Sequence, residues 1–194
     1  MRWNPRAIAG FLVVAVAWGC ASSVSLTEPP VAKQTPPKLS QSRVSLGEFR
    51  GAACFGEEVK RYLSSPGGLA LAPEAGPSNL ILSGGTTRIE VHSNLGDKQV
   101  AIAYFTAFVI TAPIAAGMYG AKDWQADAVA DGELVASDTT GNVIWKKSLT
   151  VSVTENQRTM PSQEAVKTAM SDAVCQKLAA TLLNGLTEHL ASGR

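Results

Sequence analysis

Two stretches of the chain place apolar residues at the spacing of a helix. In residues 45–64, Ser45 stands at a capping position and Glu48 follows three residues later, the arrangement of a capping box. Residues 162–191 carry a longer apolar stripe, which we expect to form core rather than a seam for a partner. The apolar positions of the first stretch are Phe49, Ala52, Ala53, Phe55, Val59, Tyr62 and Leu63.

Strand patterns lie between the two predicted helices. Residues 79–83 form a short apolar run that Gly84-Gly85 interrupts. Residues 86–93 then alternate in their polarity, as in a strand with one face exposed to solvent. Residues 125–137 and 143–154 predict two more strands, and the polar turn 138–142 between them predicts a hairpin. Lys146-Lys147 breaks the alternation, which predicts a bulge there.

Segment 99–120 is uncharged and mostly apolar, with Lys98 and Lys122 outside its ends. Its length approaches the roughly 20 residues that a helix needs to cross a bilayer. Three interpretations stay open: a strand and helix of the soluble core, a membrane-inserted element, or an apolar patch that docks a partner. The residues that would make the membrane or partner contact are Val100, Phe105, Phe108, Ile110, Pro113 and Tyr119.

Residues 1–19 have the parts of a signal peptide. Arg2 and Arg6 give a positive start, residues 7–18 are uncharged and mostly apolar, and Gly19 is a small residue at the expected cut. The apolar stretch is too short for a stable transmembrane helix, so we expect it to be removed.

The motif Ala17-Trp18-Gly19-Cys20 resembles the lipobox of bacterial lipoproteins. The resemblance implies that cleavage falls between Gly19 and Cys20 and that Cys20 carries the lipid anchor, while Ala21 behind it implies sorting to the outer membrane. Ala17 and Gly19 also satisfy the small-x-small rule of ordinary signal peptidase, so plain secretion stays an alternative.

Behind Cys20, residues 20–44 are rich in Pro, Ser, Thr and Lys and predict an extended tether. Residues 45–194 are then long enough for a single domain with its own core. If Cys20 carries lipid, the remaining two of the three Cys can pair in an oxidising compartment.

Composition argues against several classes of function. The chain has 17 Lys and Arg against 16 Asp and Glu, which gives no basic face for nucleic acid. His92 and His189 lack the spacing of a metal site, and no Ser lies in a GxSxG motif. Glu133 and Asp138 could form a pair of carboxylates, but acids at strand ends are usually solvated. We therefore predict no catalytic residues, no metal and no cofactor.

Residues 130–138 (ADGELVASD) and 141–145 (GNVIW) resemble a pattern of small Gram-negative envelope lipoproteins. There, one strand carries G-x-L and ends in Asp, and the next strand carries Trp. The likeness covers residues 79–190 and includes the lipopolysaccharide-assembly and curli-pore lipoproteins. It implies an α/β (α+β) two-layer sandwich, in which a mixed or antiparallel sheet carries helices 45–64 and 162–191 on one face.

The resemblance also implies a disulfide. In that architecture the first and last helices lie side by side, with Cys54 in the middle of the first and Cys175 in the middle of the last. We expect a Cys54–Cys175 bridge. The alternative is two unpaired core thiols.

Two functions follow from these features. The first is a lipid-anchored lipoprotein on the periplasmic face of the outer membrane, which acts as a non-catalytic accessory or assembly factor of a transport or secretion complex. Its partners would be the membrane, an envelope protein and a second copy of the chain. The alternative is a secreted or periplasmic module that binds a lipid or another apolar ligand along segment 99–120.

Overall fold

A computed structural model describes residues 24–27, 31–33, 42–65, 69–73, 77–94, 124–157 and 161–193. The predicted signal peptide and segment 99–120 lie outside these residues, so both stay predictions. Five strands and two helices follow one another along the described chain: β1 Arg43–Arg50, α1 Ala53–Ser64, β2 Ala70–Leu71, β3 Leu80–Ser93, β4 Trp124–Ser137, β5 Val143–Gln157 and α2 Gln163–Ala191.

The strands form one mixed sheet in the order β2-β1-β3-β4-β5. Strand β1 runs parallel to both β2 and β3, whereas β3, β4 and β5 pair antiparallel. The fold is therefore α+β with a mixed sheet, as the sequence predicted. The sheet is curled toward a half-barrel, a feature that the sequence did not predict.

The two helices pack against each other and against the sheet. Every second residue of β4 faces the core, from Trp124, which is 1% exposed, through Leu134 to Ala136. Helix α2 supplies Leu178 and Leu182 to the same core, and α1 supplies Phe55. The stripe of α2 is core, as predicted, and Trp124 is one of the largest fully buried side chains.

The predicted helix 45–64 is wrong over its first eight positions, because residues 43–50 form strand β1. Val44 of this strand is fully buried and pairs with Leu80 of β3. Gly51 then turns the chain with φ +87°, a conformation that suits glycine, and α1 begins at Ala53. Glu48 forms an exposed ion pair with Arg50 instead of a capping box.

Gly84-Gly85 does not interrupt the following strand, because β3 runs unbroken from Leu80 to Ser93. A side chain at Gly84 would run into the backbone of Glu133, and one at Gly85 into the backbone of Arg50. The two glycines therefore allow the neighbouring strands to pair closely, which is one of the uses of glycine inside a sheet.

The hairpin of β4 and β5 is confirmed, but the bulge lies elsewhere. Ser137 pairs with Val143 and Ala136 with Trp145, so Ile144 is the extra residue and the bulge adjoins the turn. Lys146 and Lys147 pair in regular register, so the predicted bulge at the Lys pair is wrong.

Asp138 holds the turn of this hairpin together. Its carboxylate accepts hydrogen bonds from the backbone N–H groups of Thr140 and Asn142, both at 2.9 Å, and from both of their side chains. These bonds, with the Thr140 hydroxyl first, lower the pKa of Asp138 to about 2.

The hairpin turn is expected to loosen as the pH falls from about 4 to about 2. A lowered folded-state pKa means that the stabilisation is complete above the ordinary value of 3.8 and is lost as Asp138 takes up its proton near 2. Amide exchange at Thr140 and Asn142 should speed up over this range by NMR, while amides in the middle of α2 serve as the control. A turn unchanged at pH 2 would contradict the assignment.

Among the described residues, no helix is both long enough and apolar enough to cross a membrane.

Candidate functional site

A row of charged and hydroxyl side chains covers the side of β3, β4 and β5 that points away from the core. We call this surface the polar face. It follows from alternation, because the residues of β4 between the buried ones point the other way. Its central members are Arg88, Asp131, Glu133, Lys146, Ser148 and Thr150.

The acids of the polar face are paired across strands. Thr150 donates its hydroxyl to Asp131 at 2.5 Å, and Arg88 donates to the other carboxylate oxygen at 2.8 Å. Glu133 accepts from the Ser148 hydroxyl at 2.9 Å and lies 3.0 Å from the ammonium group of Lys146. Each acid thus has one hydroxyl and one cation as partners.

These bonds keep both acids ionised. The hydrogen bond from Thr150, with the charge of Arg88, lowers the pKa of Asp131, and the bonds from Lys146 and Ser148 lower the pKa of Glu133. A general acid at neutral pH needs a raised pKa instead. Both acids therefore carry a negative charge beside a cation, an arrangement that can take part in electrostatic recognition.

An open cleft of about 660 Å³ lies over the polar face. It reaches from Glu48 and Arg50 at the end of β1 across the glycine pair of β3 to Ser148 and Thr150 on β5. Most of its lining residues are charged, hydroxyl-bearing or glycine. Within the described part of the chain, no cluster of three or more His, Cys, Asp or Glu side chains could hold a metal ion.

A second feature is formed by residues 24–27, the first described part of the chain, which dock onto the end of β5. Thr27 donates its backbone N–H to Glu155 at 2.7 Å and its hydroxyl at 2.5 Å. The side chain of Gln157 donates to the carbonyl of Ser25, and Val24 and Leu26 pack on the core. We call residues 24–27 and their partners on β5 the N-terminal clip.

Glu155 is an acid on the core side of the sheet, only 2% exposed. Burial alone would raise its pKa, but the bonds from Thr27, Gln157 and the backbone of Asn156 together outweigh burial and lower it. The clip thus provides the partners that a buried carboxylate requires.

Thr27→Val is expected to lower the free energy of unfolding by about 1 kcal/mol, because Glu155 loses a hydroxyl donor at a part-buried site. Equilibrium urea unfolding measures the change. Thr154→Val is the matched control, since Thr154 is exposed on the opposite face of β5 from Glu155, and loss of its hydroxyl bond to Asp127 of β4 should cost less. Equal losses from the two variants would contradict the role given to Glu155.

Ala32 and Lys33, from the next described range, contact both helices. Asn184 of α2 donates to the carbonyl of Ala32 at 3.0 Å and accepts from the hydroxyl of Tyr62 at 2.5 Å. The ammonium group of Lys33 donates to the carbonyls of Tyr62 and Ser65 at the end of α1, both at 2.8 Å, and lies over the Tyr62 ring. Part of the range predicted as a tether is therefore in contact with the domain.

The structure brings together one of the predicted site pairs. Cys54 and Cys175 form a disulfide with their Cα atoms 6.0 Å apart, which joins α1 to α2. Cys54 lies in the first turn of α1 rather than in its middle. Glu133 and Asp138 have separate partners. Gly19, Cys20 and the six residues named in segment 99–120 lie outside the described residues.

Sequence reasoning missed the clip and undervalued the polar face. Asp131 and Glu133 alternate along β4, and Ser148 and Thr150 alternate along β5, so the hairpin register could have paired them. Thr27 and Glu155 are 128 residues apart with no shared motif, so no local signal could have joined them.

No protein-family model and no curated protein matches the chain. Several solved structures resemble it in part. One is a minor lipoprotein from Acinetobacter baumannii, at 13% identity and TM-score 0.40, over 80% of this chain and 95% of that one. Another is an uncharacterized lipoprotein B from Nitrosomonas europaea, at 12% identity and TM-score 0.45, over 88% of this chain and 94% of that one.

A protein from Xanthomonas campestris is similar at 14% identity and TM-score 0.45, over 88% of this chain and 100% of that one. The two structures named first are described as lipoproteins.

Proposed function

We propose that the protein is a lipid-anchored lipoprotein of the bacterial envelope that acts as a non-catalytic accessory or assembly factor of a membrane complex. Residues 1–19 would be the signal peptide, Cys20 the lipidated residue, and 45–194 the domain. Ala21 supports a place on the periplasmic face of the outer membrane. A two-layer arrangement, with both helices on one side of the sheet, is part of this proposal.

The observation that carries the accessory role is the polar face. It offers a partner fixed charges of both signs, since Arg88, Asp131, Glu133 and Lys146 are held in place by cross-strand bonds. Charge complementarity of this kind governs specificity and encounter rates in protein complexes.

The alternative, a module that binds an apolar ligand, has less support from the described residues. The cleft over the polar face is open to solvent and has the charged side chains of Asp131 and Glu133 in its wall, whereas small-molecule pockets enclose most of an apolar ligand. An apolar site along segment 99–120 would lie outside the described residues, and co-purified lipid would be its signature.

Anchoring is tested by fractionation of cells that make the wild type or Cys20→Ser, with an alkaline carbonate wash of the membranes. The wild type is expected to stay with the membranes and to yield an N-terminal peptide whose mass includes the lipid. The processed variant is expected in the soluble fraction. A mature wild-type protein without lipid would overturn the proposal, and a mature variant that resists the wash would show a second membrane contact.

The accessory role is tested by a photo-crosslinking residue at Ser152, which is exposed on the polar side of β5. The matched control position is Thr168, which is exposed on α2. A partner of defined mass is expected from Ser152 but not from Thr168, and the crosslink should disappear with Arg88→Glu. Equal crosslinking from both positions, or none from Ser152, would contradict a partner at the polar face.

A further inference from the structure

Three strands begin or finish at the same end of the sheet. At this end β3 finishes at Ser93, β4 begins at Trp124 and β5 finishes at Gln157. Asn94 is tied to Gln125 there by two bonds, of 3.1 Å from its backbone N–H and 3.0 Å to its side-chain oxygen. We call this the 94/124 end. The hairpin turn at 138–142 lies at the opposite end.

The N-terminal clip lies at the 94/124 end, because Glu155 pairs with Ala126 and Gln157 pairs with Trp124 in the sheet register. Ala32 and Lys33, further along the chain, contact Asn184 and the end of α1, away from this end. Val24, the first described residue, therefore lies on the side of the clip where β4 begins.

Val24 lies only four positions after Cys20 in the sequence. A fully extended chain covers at most about 3.6 Å per residue, so Cys20 lies within about 14 Å of the docked Val24. A lipid on Cys20 would consequently hold the 94/124 end close to the bilayer. By contrast, a tether free over residues 20–44 would allow every orientation.

We propose that the 94/124 end of the domain faces the lipid surface, and that the bonds from Thr27 and Gln157 at Glu155 and Ser25 set this orientation. The proposal deepens the proposed function and rests on lipidation of Cys20. The polar face then stands roughly perpendicular to the membrane, open to a partner beside the protein, and the hairpin turn points into the periplasm.

The test uses the full lipidated chain in vesicles of phosphatidylethanolamine and phosphatidylglycerol that contain a headgroup-attached quencher. A fluorophore is placed on His92→Cys at the 94/124 end, or on Thr139→Cys in the hairpin turn, both exposed positions. The two lie roughly 35 Å apart along β4. Because Cys54 and Cys175 are paired and Cys20 is lipidated, the added thiol is the one that reacts.

The probe at position 92 is expected to lose most of its fluorescence, while the probe at 139 stays near its value in quencher-free vesicles. Equal quenching at both positions would overturn the orientation and leave anchoring intact, since the protein would still float with the vesicles. A protein that carries no lipid and does not float would refute the proposed function itself.

Thr27→Pro isolates the clip, because it removes both the N–H and the hydroxyl that Glu155 accepts. This variant is expected to float as the wild type does but to lose the difference between the two probes. Thr154→Val is the control and should keep the difference. Retention of the wild-type pattern by Thr27→Pro would overturn the role of the clip in setting the orientation.

Discussion

Reduction of the Cys54–Cys175 disulfide is expected to lower the free energy of unfolding by roughly 5 kcal/mol. The bridge joins residues 121 positions apart, so it closes most of the domain into one loop. The chain-entropy model gives about 5 kcal/mol for a loop of this size, because the cross-link removes conformations from the unfolded chain. The loss should lower the Tm by roughly 10 to 20 °C for a domain of this length.

Urea unfolding of the oxidised and reduced protein measures this difference. The double variant Cys54→Ala, Cys175→Ala controls for the reductant, since its stability should not depend on it and should match that of the reduced wild type to within about 1 to 2 kcal/mol. A difference below about 1 kcal/mol between oxidised and reduced protein would contradict a bridge that constrains the unfolded chain.

The parts of the fold with regular local signals could be predicted from the sequence. Helix α2 has a long apolar stripe and a serine cap, Ser162, whose side chain accepts from Ala165. The β4–β5 hairpin has two alternating strands around a turn rich in Asp, Gly and Asn. In both cases local preference and tertiary packing agree, so the pattern was sufficient.

Strand β1 could not be separated from α1 by periodicity. A short strand with Val44 and Leu46 directed to its neighbours merges into the helical spacing of Phe49 and Phe55. Parallel pairing with β3, which decides the strand, is a contact between distant parts of the sequence. The glycine at position 51 was the local signal for the end of β1, since its positive φ interrupts regular secondary structure between β1 and α1.

Charged residues on the core side of β5 concealed its alternation. Lys147 and Glu155 both occupy core-side positions of the register. Lys147 lies along Gly185 of α2, with both its stem and its ammonium group near that glycine, and still remains exposed to solvent. Glu155 is buried instead, with its bonds supplied by Thr27. Neither arrangement follows from the sequence of β5 alone.

The contact between Gly132 and Leu178 carries the second large expected effect. A Cβ on Gly132 would lie 2.6 Å from a methyl of Leu178 and 3.0 Å from the carbonyl of Gly85. Gly132→Ala is therefore expected to cost about 1 to 3 kcal/mol by overpacking. Leu178 is fully buried, and Leu178→Ala is expected to cost about 2 to 5 kcal/mol through lost burial and the cavity that remains.

The double variant Gly132→Ala, Leu178→Ala is expected to be more stable than the sum of the two losses predicts, by about 1 kcal/mol. Removing the Leu178 methyls makes room for the new Cβ, and the Cβ fills part of the cavity, so the two changes compensate each other. The contact with the carbonyl of Gly85 persists, because that atom belongs to the backbone, and some cost remains.

Urea unfolding of the four proteins in this cycle measures the coupling. Gly185→Ala is the control, because here the added Cβ has room. The nearest atom to that Cβ would be the flexible end of Lys147 at 3.4 Å. It should raise stability by about 0.5 to 1 kcal/mol through helix propensity. Strict additivity in the cycle would mean that α2 does not press on β4 at Gly132, and the packing of the two elements against each other would then need another explanation.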